Sequence, residues 1–228
     1  MTSMSVSLSP LSERVTHKIT ILLRLALLIV GVFAIFGGRW SVVFAAVGAL
    51  VLSYIPQLLA SQMKVKLPLQ FQFIITLFLY ASIFLGEVGD YYERFWWWDV
   101  VLHAGSAFAF GFVGFLTLYL LYMRHKITAS PFLISIFAFS FGLAIGTLWE
   151  VFEFAMDQLF GLNMQKNGLR DTMWDLIIDA VGAGIASIIG YIYLRYEVRD
   201  PFDTFISWFL RENPQFKAKS FLRRPKKR

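Results

Sequence analysis

The chain alternates between long apolar runs and short polar segments. Six of the apolar runs are long enough to cross a bilayer as helices, which takes about 20 residues each. They fall at residues 19–36, 41–60, 69–85, 99–123, 131–154 and 172–194. The connections between them are short, and no internal repeat is visible. The pattern therefore predicts an all-α, polytopic membrane helix bundle of about six transmembrane helices.

A shorter amphipathic pattern follows the sixth run. Phe202, Phe205, Ile206 and Phe209 share one helical face, and Asp200-Pro201 is a favourable helix start. We predict a short interfacial helix on the inner leaflet. The expected organisation is a single six-span domain over residues 1–200, followed by a cytoplasmic amphipathic helix and basic tail over residues 201–228.

Composition narrows the class of protein and the kinds of site available. The 228 residues are 57% hydrophobic and 16% charged, which is typical of a membrane protein rather than a soluble domain. Cysteine is absent, so a disulfide framework, a thiolate metal site and a cysteine nucleophile are excluded. The basic tail ending in Arg223–Arg228 predicts attraction to anionic lipid. Nothing else in the sequence supports a nucleic-acid partner, so none is expected.

Lys and Arg residues set the expected orientation. With both termini in the cytoplasm, sixteen of the 21 basic residues fall on the inner side and four on the outer side, as the positive-inside rule requires. The remaining one, Arg24, lies inside the first run and is expected to snorkel to the inner surface. In this orientation ten of the 15 acidic residues gather at the outer side.

Three of the apolar runs carry these acids into the membrane at helical spacing. The fourth run has Asp99 and His103 at i and i+4, and the sixth has a column of three acids, Asp171, Asp175 and Asp179. The fifth run ends with an acidic face, whose members are Glu150, Glu153 and Asp157. Ionisable groups inside membrane helices are costly and usually functional. Trp residues at the starts and ends of the same runs predict that the acids lie near the outer interface.

We expect these side chains to form one site in which carboxylates and an imidazole bind a divalent metal ion. The predicted ligands are Asp99, His103, Glu150, Glu153, Asp175 and Asp179. His103 and Asp179 are also the predicted catalytic residues, as acid and base. Structural interpretations stay open for several of these residues: Asp99 and Asp171 as helix caps, Glu153 and Asp157 as partners of Lys166 or Arg170, and His103 as a hydrogen-bonding partner of a neighbouring helix.

Two further features bear on this site. Residues 158–170 form a Gly- and Asn-rich connection that could act as a lid, with Lys166 and Arg170 able to bind phosphate or to neutralise the acids. Small residues recur at four-residue spacing in the fifth and sixth runs, as Gly142 with Gly146 and Ala180 with Gly184. Such spacing is typical of closely packed membrane helices, which favours convergence of the acid-bearing helices.

The combined motifs resemble the YjdF-like bacterial inner-membrane proteins and, more loosely, the VanZ-like proteins. The motifs that carry the resemblance are Tyr91-Tyr-Glu-Arg-Phe-Trp-Trp-Trp-Asp99-x-x-x-His103, Gly146-Thr-Leu-Trp-Glu150-x-x-Glu153 and Asp171-Thr-Met-Trp-Asp175-Leu-x-x-Asp179-x-x-Gly182. They cover about half of the chain. The resemblance implies a multi-pass protein of the bacterial plasma membrane. It implies no reaction; the VanZ-like proteins are linked to glycopeptide-antibiotic resistance.

Three functions remain open from sequence. The first is a metal-assisted enzyme acting on a lipid or lipid-linked envelope substrate at the outer leaflet. The second is a proton- or cation-coupled transporter that uses the acids as a relay. The third is a non-catalytic envelope-binding protein of the VanZ-like type. An enzyme or binding protein needs a pocket that opens to one side, whereas a transporter needs polar continuity across the membrane.

Overall fold

The computed structural model describes residues 10–62, 64–161, 163–166, 168–196 and 201–216. Nine α-helices lie within these ranges. A π-helical segment, Tyr80–Val88, continues the fourth of them, and a 3₁₀ turn, Pro214–Phe216, follows the last. The helices are α1 (Pro10–Phe36), α2 (Trp40–Leu52), α3 (Ile55–Gln62), α4 (Leu69–Leu79), α5 (Tyr91–Arg94), α6 (Trp97–Met123), α7 (Pro131–Phe160), α8 (Leu169–Tyr196) and α9 (Pro201–Glu212).

Six helical segments in this part of the chain are long and apolar enough to cross a membrane, which confirms the predicted all-α polytopic bundle. They are Arg14–Phe36, Val42–Gln62, Leu69–Gly86, Trp97–Met123, Pro131–Phe160 and Leu169–Tyr196. The fifth extends six residues beyond its predicted end, because Gly161 closes α7 in the left-handed conformation, with φ of 63°. Its acidic face therefore lies wholly within one helix.

The chain divides into two compact units. The first comprises Met1–Trp98 with Ser207–Asn213, and the second comprises Asp99–Ile206 with Pro214–Arg228. In the first unit, α1 packs against α2 and α4. All six predicted ligand residues belong to the second unit, within α6, α7 and α8.

In the first unit, the Arg24 side chain, which was expected to snorkel to the inner surface, donates a hydrogen bond to the backbone at an interruption of the second span. The break separates α2 from α3 at Ser53 and Tyr54. The Arg24 Nη2 donates a hydrogen bond of 2.9 Å to the Ser53 carbonyl oxygen, and the guanidinium carbon lies 4.0 Å from the centre of the Tyr54 ring. A free carbonyl inside a bilayer is costly, so this cation stabilises the interruption.

Helix α9 has the predicted amphipathic pattern, but part of its apolar face is buried in protein rather than left for lipid. Phe202, Ile206 and Leu210 are all buried. Within the second unit, the Phe202 ring contacts three α6 rings at centroid distances of 4.6–6.2 Å, those of Phe108, Phe112 and Phe115. The predicted cap Asp200 and the basic tail lie outside the described residues.

Asn213, which follows α9, binds the backbone of Lys66 in the first unit. Its Oδ1 accepts from the Lys66 N–H at 2.7 Å, and its Nδ2 donates to the Lys66 carbonyl at 2.7 Å and to the Phe209 carbonyl at 2.9 Å. The side chain is fully buried. The amide thus satisfies backbone groups in the segment between α3 and α4.

Replacing Asn213 with alanine is expected to lower the free energy of unfolding by about 2 kcal/mol, because the Lys66 N–H and carbonyl lose their partner in a buried position. Denaturant or thermal unfolding in a mild detergent measures this change. Glu212→Ala is the matched control, since its pair with Arg211 is exposed and contributes little. Equal losses in the two variants would contradict the assigned role of Asn213.

In the second unit, α6, α7 and α8 approach each other at small residues. A Cβ atom on Gly142 would lie 2.7 Å from the Ala107 carbonyl oxygen, and one on Gly111 would lie 2.9 Å from the Ala186 Cβ. A Cβ atom on Gly182 would overlap the Ala104 carbonyl oxygen. Since real Cβ atoms do not approach so closely, these positions require glycine. At these positions the backbones of the three acid-bearing helices approach one another closely, with no side chain between them.

Candidate functional site

The site is built around His103, in the second turn of α6. Asp99 lies one turn earlier on the same helix face, as the i, i+4 spacing predicts. His103 is buried, with 8% of the residue exposed, whereas Asp99 is half-buried. The imidazole therefore lies inside the helix group and the Asp99 carboxylate lies nearer its edge.

Carboxylates from three helices face the two nitrogens of His103. Its Nδ1 lies 3.3 Å from the Asp179 Oδ1 on α8. Its Nε2 lies 3.7 Å from the Asp99 Oδ1 on α6 and 3.9 Å from the Glu150 Oε1 on α7. The two nitrogens thus have different surroundings: one acid on the Nδ1 side and two on the Nε2 side.

Three side chains of the site, one of them on α8 and not yet described, can offer ligand atoms to one metal ion. Asp99, His103 and Asp175 each present one nitrogen or oxygen atom, and the three atoms lie within 4.8 Å of one another. Asp175 is buried on α8, one turn before Asp179. This buried group could hold a metal ion, and it is smaller than the predicted set of six ligands.

Two other buried acids have oxygens without a hydrogen-bond partner among the described residues. Neither oxygen of Glu150 has one, and the Asp179 Oδ2 has none. Glu150 is 3% exposed and Asp179 is fully buried. A buried carboxylate oxygen without a donor is costly. This part of the protein therefore carries acceptor groups that the surrounding fold does not satisfy.

The remaining acids lie outside the three-residue group. Glu153 is half-buried one turn after Glu150 and lies outside the three-residue group. Asp157 accepts from the backbone N–H groups of Met164 and Gln165, at 2.7 and 2.9 Å. The capping interpretation of Asp171 is wrong, because α8 begins two residues earlier, at Leu169.

Hydrogen bonds to side chains of α7 and α8 hold the described residues of the connection between these helices. Besides the two bonds to Asp157, the Gln165 Nε2 donates to the Thr172 Oγ1 at 2.6 Å. Lys166 is half-buried, and its ammonium group lies within electrostatic reach of the Asp99 carboxylate. Leu162 and Asn167 lie outside the described residues. The loop thus places one cation beside the acids.

Gly146 has a role in the site that the sequence interpretation missed. A Cβ atom at this position would overlap the Asp179 Oδ2. We interpreted Gly146 only as a helix-packing residue. The available signal was its spacing: Gly146 lies one turn before Glu150, on the face of α7 that carries the acid. A small residue there leaves room for a carboxylate from the neighbouring helix.

Helices α6, α7 and α8 pack directly against one another on one side of the site. This side follows His103 along α6 and Asp179 along α8, and it precedes Gly146 along α7. The residues that follow the site in this direction are small, buried and in mutual contact. They are Ala107 and Gly111 on α6, Gly142 and Ala138 on α7, and Gly182, Ala183 and Ala186 on α8. Within the described part of this unit, the site therefore has a closed base.

Comparisons with known proteins agree with a membrane protein. An uncharacterised protein of Thermotoga maritima is 30% identical over 119 residues, which are 50% of this chain and 60% of that relative. No solved structure matches the chain significantly. A family described as "Predicted membrane protein (DUF2238)" matches residues 18–196, from within α1 to the end of α8. The chain belongs to this DUF2238 family of membrane proteins.

Proposed function

We propose that the protein is a metal-assisted membrane enzyme acting on a lipid or lipid-linked substrate, with a divalent cation held by Asp99, His103 and Asp175. One observation carries the proposal. Two carboxylates and an imidazole offer ligand atoms within 4.8 Å, beside a buried Glu150 whose oxygens make no hydrogen bond of standard geometry among the described residues. Unsatisfied buried acceptors next to a ligand-competent group favour a bound cation.

The charge of the cluster supports a cation. Asp99, Glu150 and Asp179 face a single imidazole, and Asp175 lies close by. Lys166 adds one positive charge at the Asp99 side. Three of these carboxylates are buried and Asp99 is half-buried, and among the described residues one imidazole and one ammonium group face them, so the group favours a further positive charge. A divalent ion provides that charge at the centre of the group.

The ligand types support a borderline or hard divalent metal. One imidazole nitrogen and two carboxylate oxygens are a common set for Zn²⁺ and Mn²⁺. Three protein ligands leave coordination positions for water or substrate, as catalytic sites do. An ion bound there would supply a polarised substrate oxygen or an activated water, and Glu150, whose Oε1 lies 3.9 Å from the His103 Nε2, would be the residue that accepts the proton of that water.

The position of the group favours an enzyme over a transporter. The closed base of small residues gives ions no polar route along the three helices. Exposed Trp97, Trp149 and Trp174 lie close in sequence to the acids on the same three helices, and Trp is enriched at membrane interfaces. A substrate from the bilayer can reach such a level directly. Charge bias and the YjdF- and VanZ-like resemblance favour the outer face of a bacterial plasma membrane, with both termini cytoplasmic.

Metal analysis of the purified protein tests the proposed cation. We expect about one Zn²⁺ or Mn²⁺ per chain after loading, and a loss of affinity of more than about 100-fold in Asp99→Asn and Asp175→Asn, since each removes a ligand. Isothermal titration and elemental mass spectrometry measure affinity and stoichiometry. Asp171→Asn is the matched control, because it removes an acid on the same helix, one turn before Asp175. A wild type that binds no divalent metal would refute the proposal.

The reaction is tested separately, with the loaded wild type and the Asp175→Asn variant. Each is incubated with a total bacterial lipid extract, and products are followed by mass spectrometry. We expect a lipid species that disappears only with metal-loaded wild type. Stoichiometric metal without any change in the extract would retain the metal site and reject the enzyme in favour of a binding protein.

A further inference from the structure

We propose that Asp179 is the positioning residue of the site: it holds a proton of His103 on Nδ1 and so directs Nε2 toward Asp99, one of the proposed ligands. The sequence had grouped Asp179 with the ligands and the catalytic residues. The consequence for the cation rests on the proposed function, whereas the placement of the proton does not.

The two nitrogens of His103 separate the acids into two groups. An imidazole has one nitrogen on each side, and the lone pairs or protons on them point apart. Asp179 lies on the Nδ1 side, at 3.3 Å, while Asp99 and Glu150 lie on the Nε2 side. A cation bound to Nε2 is therefore out of reach of the Asp179 Oδ1 that contacts Nδ1.

In the neutral ring, an Nδ1–H that donates to the Asp179 Oδ1 leaves the Nε2 lone pair free. This arrangement fixes both the tautomer and the rotation of a metal-ligating histidine, and it increases the basicity of the ligating nitrogen. In this geometry the direction of Nε2 depends on Asp179.

The surroundings of Asp179 leave it no other purpose that the described residues show. The side chain is fully buried, its Oδ1 contacts His103, and its Oδ2 has no hydrogen-bond partner in the described part of the chain. A fold does not gain stability from a buried carboxylate with one unsatisfied oxygen. Within the described residues, the contact with His103 is the one side-chain hydrogen bond that Asp179 makes, and it accounts for the position of this acid.

Gly146 makes this contact possible. The Asp179 Oδ2 lies so close to the Gly146 Cα that any Cβ atom there would overlap it. An alanine at this position must push the carboxylate away from α7 and so change its contact with His103. Gly184, on the same helix as Asp179, has open space around its Cβ position, with nothing within 4 Å. It offers a matched control for the small-to-larger change.

Nitrogen-15 NMR on histidine-labelled protein in nanodiscs tests the proton placement directly. The chain has three histidines, so the His103 signals are identified by their loss in His103→Gln. We expect a directly bonded proton on Nδ1, shifted downfield by the carboxylate, in metal-free wild type. Asp179→Asn and Gly146→Ala are expected to move this proton signal upfield, and Gly184→Ala to leave it unchanged. A wild-type His103 with its proton on Nε2 alone would overturn the proposal, as would a doubly protonated ring that loses its Nδ1 proton and keeps the Nε2 proton when it is titrated to the neutral form.

Zn²⁺ titration distinguishes a positioning residue from a ligand. Loss of an outer-shell carboxylate lowers metal affinity by about 10–100-fold without abolishing binding. We expect Asp179→Asn and Gly146→Ala to lie in this range and to keep one Zn²⁺ per chain. Loss of Zn²⁺ from Asp179→Asn as complete as from Asp175→Asn would make Asp179 a ligand and sink the inference. If wild type binds no Zn²⁺, the proposed function fails, and the NMR result still decides the proton placement.

Discussion

Replacing Gly182 with alanine is expected to lower the free energy of unfolding by about 3 kcal/mol. The added Cβ would overlap the carbonyl oxygen of Ala104, and the next nearest atoms are also backbone atoms of that residue. A backbone cannot rotate out of the way as a flexible side chain does, so α6 and α8 must separate. Thermal unfolding of the purified variants, followed by loss of helix signal or by aggregation, measures the effect.

Gly184→Ala is the control for this prediction. It adds the same methyl group to the same helix two residues later, at a position with nothing within 4 Å. The variant should match wild type or exceed it slightly, since alanine favours the helix by about 0.8–1 kcal/mol over glycine. Equal destabilisation by Gly182→Ala and Gly184→Ala would show that α6 and α8 do not meet at Ala104.

Removal of the His103 ring is expected to abolish divalent-metal binding. His103→Ala takes away the one nitrogen ligand of the proposed site and leaves Asp99, Glu150 and Asp179 without the ring they face. We expect affinity for Zn²⁺ or Mn²⁺ to fall by more than about 100-fold, beyond the effect of Asp179→Asn. Titration of apo-protein with each ion measures the loss.

The control for the histidine variant is His17→Ala, on the exposed surface of α1. It removes an equally common adventitious metal ligand and should leave stoichiometry and affinity unchanged. If both variants lose metal to the same extent, the binding comes from scattered surface groups. If neither loses metal, the cation is held elsewhere and the proposed site is wrong.

The sequence predicts the six spans well because each span forms for a reason contained in its own residues. A run of about 20 apolar residues must be helical in a bilayer to satisfy its own backbone. Helical periodicity also places Asp99 beside His103 and stacks Asp175 below Asp171. These relations depend on residues within one helix, so no knowledge of the partners is needed.

The sequence could not distribute the acids around the imidazole, because that depends on how three helices are rotated and how closely they approach. Which nitrogen Asp179 faces follows from the α7–α8 separation at Gly146, and the spacing of glycines alone does not give that rotation. The hydrogen bonds that Asp157 accepts from the following loop were also missed. The charge pattern had predicted an ion pair with Lys166 or Arg170 instead.

Two other features required tertiary information. Pro56 signals the interruption of the second span, because a proline removes one helical hydrogen bond and disfavours helix before it, but the cation that stabilises the Ser53 carbonyl comes from α1. The apolar face of α9 has the composition of a lipid-binding helix. The contacts of Phe202 with α6 aromatic rings join residues more than 80 positions apart in the chain.

The closed base of small residues in α6, α7 and α8 has a kinetic consequence for an enzyme of the proposed kind. Because the helices close below the site in the described part of this unit, substrate and product would both pass on the side where the acids lie, and product would have to leave before the next substrate binds. Product should then act as a competitive inhibitor, and turnover should slow as product accumulates in the leaflet. Diluting the product into added empty vesicles should restore the initial rate.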